Sequence, residues 1–269
     1  MLRFSLLATW LLSLLPTIVW AVTADRLTPI TPEQYYERAL ELSERVGQRT
    51  DALVALESRG EFENVEPDQL LALKDDTQAI LDNLNKAAQG GHVLAIYWLS
   101  NTKTTIFMPK AEKVVHCETL HKAVDQGLLA AAVAYFHQCG RPHESADYLS
   151  PAHLQTVATL KQLLAKGDVH KGAYPLRASL NYCFRDVAGE IAEEKTLANL
   201  QARQVKSMLT YEQYRIEAYY ILAATDRNEE GLPDSHNLAY LNQALAMGCN
   251  DVMSLKYDYE KMFGPKTPK

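Results

Sequence analysis

Two short clusters hold the residue types from which a metal site is built. His116, Cys117 and His121 fall in one stretch of apolar periodicity, and His137, Cys139 and His143 fall in the next. Imidazole and thiolate are the ligands of tetrahedral zinc, so a site joining the two stretches can be drawn. Two features weigh against it. His116 and His121 are five residues apart and leave a helix on different faces. The sulfurs also have a better use in each other. The four cysteines, Cys117, Cys139, Cys183 and Cys249, are an even number with no CxxC pair. This fits two disulfides, not a redox motif or a zinc ribbon. The expectation is no metal and no cofactor.

Other reactive constellations are not written in the chain. It has no HExxH, GxSxG, P-loop or dinucleotide fingerprint. Glu193-Glu194 and Glu229-Glu230 are adjacent acids in polar segments and read as solvated surface, not as a catalytic dyad. Tyr211, Tyr214, Tyr219 and Tyr220 crowd one helical stretch. Core packing explains most of them, while any at period-breaking positions would be exposed and suit a binding groove. The 27 Lys and Arg residues are scattered and the net charge is −6, which argues against a nucleic-acid partner. The sequence is not read as an enzyme.

The first residues, MLRFSLLATWLLSLLPTIVWAVTA, have one cation (Arg3), an apolar stretch, then small residues. This is the pattern of a secretory signal peptide. Val22 with Ala24 fits the cleavage rule, and Val19 with Ala21 fits it too. A retained anchor is the competing reading, because Leu6 to Val22 is nearly long enough to span a bilayer. Pro16 and the small residues favour cleavage. No later segment is apolar enough to span. The division is therefore a signal peptide over 1–24, a domain over 25–263, and a disordered tail, GPKTPK, over 264–269. The expected location is periplasmic or secreted, where disulfides persist.

The elements that must position these residues read as helices. The chain of 269 residues is 47% hydrophobic, and its 12 Gly and 11 Pro sit mostly between apolar segments. Thr31, Pro32 and Gln34 open a first helix with a capping box. ESRGEFENVEPDQ is polar and connects to a helix over Gln69–Gln89, with Leu70, Leu73, Thr77, Ile80, Leu81, Leu84 and Ala88 on one stripe. Shorter helices follow over His92–Ser100, Lys110–Gln126 and Leu128–Cys139, the second with a stripe through Val114, Cys117, Leu120 or His121, and Val124. Ser150-Pro151 starts another. GAYPLRASLNYCF can be helical only from about Tyr174, because Pro175 suits a first turn. AEEKTLANLQARQVKSML and YEQYRIEAYYILAAT read as a long helix and a short one. Asp234 or Ser235 caps HNLAYLNQALAMG, and Gly248 turns the chain into CNDVMSLKYDYEKMF. No segment shows strand periodicity.

Aligning Gly91 with Gly127, 36 residues apart, superposes Ala87 on Ala123, Ala88 on Val124 and Ala95 on Ala131. Gly248 puts Ala244, Leu245 and Val252 at the same places. A fixed period in this range is the mark of stacked helical units, and small residues around a tight turn let two antiparallel helices approach closely. KAAQGGHVLAIYWL and KAVDQGLLAAAVAYF resemble the Sel-one-like repeat, a relative of the tetratricopeptide repeat. The residues that carry the resemblance are Ala87, Ala88, Gly91, Ala95 and Leu99, then Ala123, Gly127, Ala131 and Tyr135. It covers Leu84–Gly140 and Leu241–Phe263. Between them it lapses, since Pro175 follows Gly167 and the expected Ala is missing. The resemblance implies an all-α fold, a right-handed α-solenoid of antiparallel helix pairs. It also implies a protein-binding scaffold or adaptor in the bacterial envelope. A periplasmic immunity protein that neutralises a toxin, and an envelope hydrolase without a recognisable motif, are the alternatives. No partner is named by the sequence.

The hairpin geometry predicts one disulfide. Cys117 lies ten residues before Gly127 and Cys139 twelve after it. At about 1.5 Å per residue the two sit nearly level, roughly 15 and 18 Å from the turn. Cys183 and Cys249 then pair by elimination.

Overall fold

The computed structural model describes residues 29–101, 108–139, 147–178, 181–184, 196–199, 207–249 and 253–263. The helical unit begins at Thr31. There the Thr31 hydroxyl accepts the Gln34 N–H while the Gln34 side chain accepts the Thr31 N–H, and Pro32 fills the first turn of α1 (Pro32–Ser58). Eight further helices are described: α2 (Pro67–Gln89), α3 (Val93–Asn101), α4 (Lys110–Asp125), α5 (Leu129–Gln138), α6 (Pro151–Lys166), α7 (Tyr211–Thr225), α8 (Ser235–Ala246) and α9 (Met253–Phe263). The chain is mostly helical, as its composition indicates. Each helix packs chiefly on its chain neighbours, α1 on α2 through to α8 on α9, and α5 also meets α7.

The turns share one hydrogen-bond pattern. At Gly60, Gly91, Gly127 and Gly248 the glycine N–H donates to the carbonyl three residues back, and the next N–H donates to the carbonyl five residues before it. All four glycines have positive φ, between +70° and +106°. This is the Schellman closure, which occupies carbonyls the helix end leaves open and needs the left-handed conformation at its glycine. Gly60 was not among the aligned glycines, yet it closes α1 in the same way.

Small residues sit where the helices meet. Ala87, Ala95, Ala123 and Ala131 have no exposed surface, while Ala88 is only half-buried. Nearly all of α5 is buried, Tyr135 excepted, because LAAAVAYFHQ is apolar or small all round and neighbours close on every side. The main core joins α3 to α7 through Leu120, Phe136, Leu160, Tyr214 and Leu222.

Several expectations need correction. Val114 is 50% exposed, because α4 buries His116, Leu120, Ala123 and Val124, a stripe that places Val114 on the opposite side. Leu70 and Thr77 are exposed, since α1 and α2 run for 27 and 23 residues while α3 covers only nine. No helix starts at Tyr174. Leu176–Arg177 (β1) instead pairs antiparallel with Met208–Leu209 (β2), and the Ala178 N–H donates to the Ser207 carbonyl. Pro175 disfavours helical backbone before it, and the extended chain beyond it finds partners across the ladder. The helix expected before α7 falls mostly outside the described residues, and its last two residues are β2. α7 packs chiefly on α8 and also meets α6, although residues 168–210 intervene between α6 and α7. The expected disordered tail lies outside the described residues.

Candidate functional site: a groove beside the inserted segment

Residues 168–210 interrupt the helix pair α6–α7, and buried polar groups fix the described parts in place. Asp168, 5% exposed, accepts from the N–H groups of Leu129 (2.8 Å) and His170 (2.6 Å) and from the Tyr174 hydroxyl (2.5 Å). The Leu129 N–H is the first of α5, so the carboxylate caps that helix from a remote segment. The Tyr174 hydroxyl oxygen also accepts the Ala130 N–H at 3.0 Å. On α3, Tyr97 donates to the Arg177 carbonyl at 2.7 Å, and the Tyr214 hydroxyl lies 2.6 Å from it. Burial pushes Tyr97 up to about 12, so it stays a neutral donor. Burial, then the charge of Asp168, pushes Tyr174 far up as well. Glu217 on α7 has no exposed surface and accepts the N–H groups of Tyr182 (2.8 Å) and Cys183 (2.7 Å). Beside it Cys183 is bonded to Cys249.

The segment so anchored forms one wall of an open groove of about 460 Å³. Tyr36 and Leu40 of α1, Leu94 and Trp98 of α3, and Pro175 and Met208 supply an apolar surface. The Tyr36 ring is stacked on His92, with centroids 4.2 Å apart, and meets Trp98 edge-on at 6.5 Å. His92 is held in turn by Glu33 at 2.8 Å. Burial, then the Glu33 charge, pushes Tyr36 up to about 12. Asn101 also lines the groove. Its amide donates to the Arg177 carbonyl at 2.7 Å, and its Oδ1 is buried with no hydrogen-bond partner among the described residues. Arg177 is exposed at the same edge and makes no ion pair with the described residues. Tyr36, Tyr97 and Arg177 are the titratable groups of the lining. Such a surface can hold an apolar group and an anion, and its described lining presents no nucleophile–base pair.

Residues singled out by sequence fall mainly elsewhere. Cys117 and Cys139 are bonded, with Cα atoms 5.7 Å apart, inside the α4–α5 hairpin. His116 is buried and hydrogen-bonded to Gln138 at 2.5 Å, whereas His121 faces Tyr135 and Asp125. The two histidines do lie on different faces. No group of three or more His, Cys, Asp or Glu side chains is arranged for a metal among the described residues, and His143 lies outside them. Of the tyrosines on α7, Tyr214 is core and Tyr211, Tyr219 and Tyr220 are half-buried. Glu229 and Glu230 are exposed, and Glu193-Glu194 lies outside the described residues. Asp168, Glu217, Trp98 and Arg177 went unnoticed at the sequence level, because each acts through a contact remote in the chain. Among the described residues no helix is long and apolar enough to cross a membrane. Comparison with protein-family models, curated proteins and solved structures finds no match.

Proposed function

We propose that this chain is an exported helical-repeat protein that binds another protein and serves as a scaffold or adaptor in the bacterial envelope. In this reading residues 1–24 direct export, and the hairpins stack as a right-handed solenoid of Sel-one-like units. The chain takes no cofactor and is not an enzyme. The observation that carries the proposal is the groove, an aromatic-lined surface with binding chemistry and no reactive pair among its described lining residues. The shared closure at Gly60, Gly91, Gly127 and Gly248 supports the repeat reading. Gly167 also has positive φ, and the lapse in the pattern coincides with the insertion of residues 168–210 after it. Two disulfides fit an oxidising compartment.

The test is capture from native membranes and periplasm. The tagged chain, exported by its own leader, is cross-linked in the cell and recovered from the envelope fraction. One protein at stoichiometric yield is expected. Recovery of the bait alone in repeated captures would count against the proposal.

A further inference from the structure

We propose that one end of the helical unit rests on an anionic phospholipid bilayer, with Val169 entering the headgroup layer and four lysines of that end facing the lipid phosphates. The inference goes beyond the protein-binding reading and does not depend on it.

A row of contacts defines that end. Pro32, at the start of α1, packs so closely on Gly90 that a side chain there would strike its ring. The Gln126 amide, just past α4, donates to the Gly91 carbonyl at 3.3 Å, and the His170 ring reaches the Gln126 carbonyl at 3.1 Å. Val169 sits between buried Asp168 and His170, and the Asp168 carboxylate accepts the His170 N–H. The backbone on either side of the valine is therefore fixed. Its side chain is nonetheless 77% exposed, the most of any large apolar side chain among the described residues. A scattered exposed valine needs no explanation. One held rigidly at a tip is already arranged to enter an apolar phase, with little ordering left to lose.

Lys86, Lys122 and Lys166 stand in the last turns of α2, α4 and α6, and Lys171 follows Val169 by two residues. All four are exposed, and none makes an ion pair with the described residues. The acids of this end are engaged: Glu33 with His92, Asp125 with His121, Glu212 with Arg215, and Asp168 in its buried hydrogen bonds. A last-turn lysine also suits its helix dipole, but Lys171 lies outside the α-helices and has no such use. In a chain of net charge −6, these cations make this end the one that attracts an anionic surface. An acidic protein would answer the lysines as well. The bilayer is favoured by the chain itself. The apolar stretch Leu6–Val22 ends nine residues before Thr31. Nine extended residues span at most roughly 30 Å, so while the leader lies in a bilayer the start of α1 stays within that distance of it.

The probe is the fluorescence of Val169→Trp in the full oxidised chain, reconstituted with vesicles whose acyl chains carry bromine as a short-range quencher. The unsubstituted chain, with Trp10, Trp20 and Trp98, supplies the background. Leu232→Trp, exposed in the loop after α7, is the control for a tryptophan on another face. In mixed phosphatidylglycerol and phosphatidylcholine vesicles the Val169→Trp emission should shift to the blue and be quenched. In phosphatidylcholine alone, and for Leu232→Trp in either lipid, it should not. A lysine beside an anionic surface is worth about fivefold in occupancy, so adding Lys166→Glu and Lys171→Glu should remove most of the quenching, as should high salt. These side chains are exposed and unpaired, so the fold does not rest on them. Equal quenching at both positions or in both lipids, quenching indifferent to the lysine reversals, or none at all would each overturn the inference. If the reversals instead abolish the protein recovered by envelope capture, with no quenching, this end is a protein-docking face and the inference is again overturned. None of these results touches the protein-binding reading, which only an empty capture counts against.

Discussion

Glu217 is fully buried, and both of its oxygens are used, one accepting the Tyr182 N–H and the other the Cys183 N–H. Replacing it with Ala leaves the Tyr182 and Cys183 N–H groups buried without that acceptor. The expected loss is about 2–4 kcal/mol in urea unfolding of the oxidised protein, with Glu217→Gln losing less because one carbonyl oxygen remains. The buried tyrosines make stability depend on pH. Tyr36 and Tyr97 are each pushed up to about 12 by burial, whereas an unfolded tyrosine titrates near 10. At high pH the folded state therefore binds more protons than the unfolded one. Their contribution is complete below about 10 and is lost as pH rises from there through 12. Tyrosinate absorbance near 295 nm and helical ellipticity should then change together over the last part of an alkaline titration. A complete signal from all 14 tyrosines while the helices stay intact would contradict the burial described.

The helices and their tight turns were legible because the determinants are local. Thr31 and Gln34 are three residues apart, as are Asp234 and Asn237, so their capping boxes can be read along the chain. A glycine that must adopt positive φ also announces itself by its place after an apolar stripe. The level positions of Cys117 and Cys139 follow from helix rise alone, which is why that bond was foreseen. The groove was not foreseen because its walls come from α1, α3, β1 and β2. Nothing between Trp98 and Arg177 in the sequence says that they share a surface. The strand pair was hidden for a similar reason: Leu176 and Leu209 are two-residue elements far apart, with no alternation to detect. The alanine contacts are testable at this scale. Ala95→Leu and Ala131→Leu each add volume where none is free and should cost roughly 1–3 kcal/mol. Thermal melts with no loss for either variant would mean that the helix register is wrong.

Across the whole molecule the two disulfides differ in what they enclose. Cys117–Cys139 spans 22 residues and Cys183–Cys249 spans 66. In the chain-entropy view the double Cys→Ser variants should lose roughly 3 and 4 kcal/mol respectively, which urea melts can rank. Equal or negligible losses would show that the unfolded chain is already restrained without them. The wider bond belongs to a strap. From the segment between α6 and α7, the Leu197 N–H reaches Glu57 near the end of α1, the Arg177 carbonyl reaches Tyr97 on α3, and Cys183 reaches Cys249 before α9. Helices arrayed in a row, each touching mainly its neighbours, ordinarily fray from the ends, and their melting spreads into steps. A cross-tie from the middle to both ends removes that freedom, because neither end can open without disturbing the centre. The cross-tie thereby extends to the end helices the cooperativity that the shared core from α3 to α7 supplies at the centre. Amide hydrogen exchange should find α1 and α8 opening at nearly the same free energy as α5. In the Cys183→Ser, Cys249→Ser variant, α8 should exchange first.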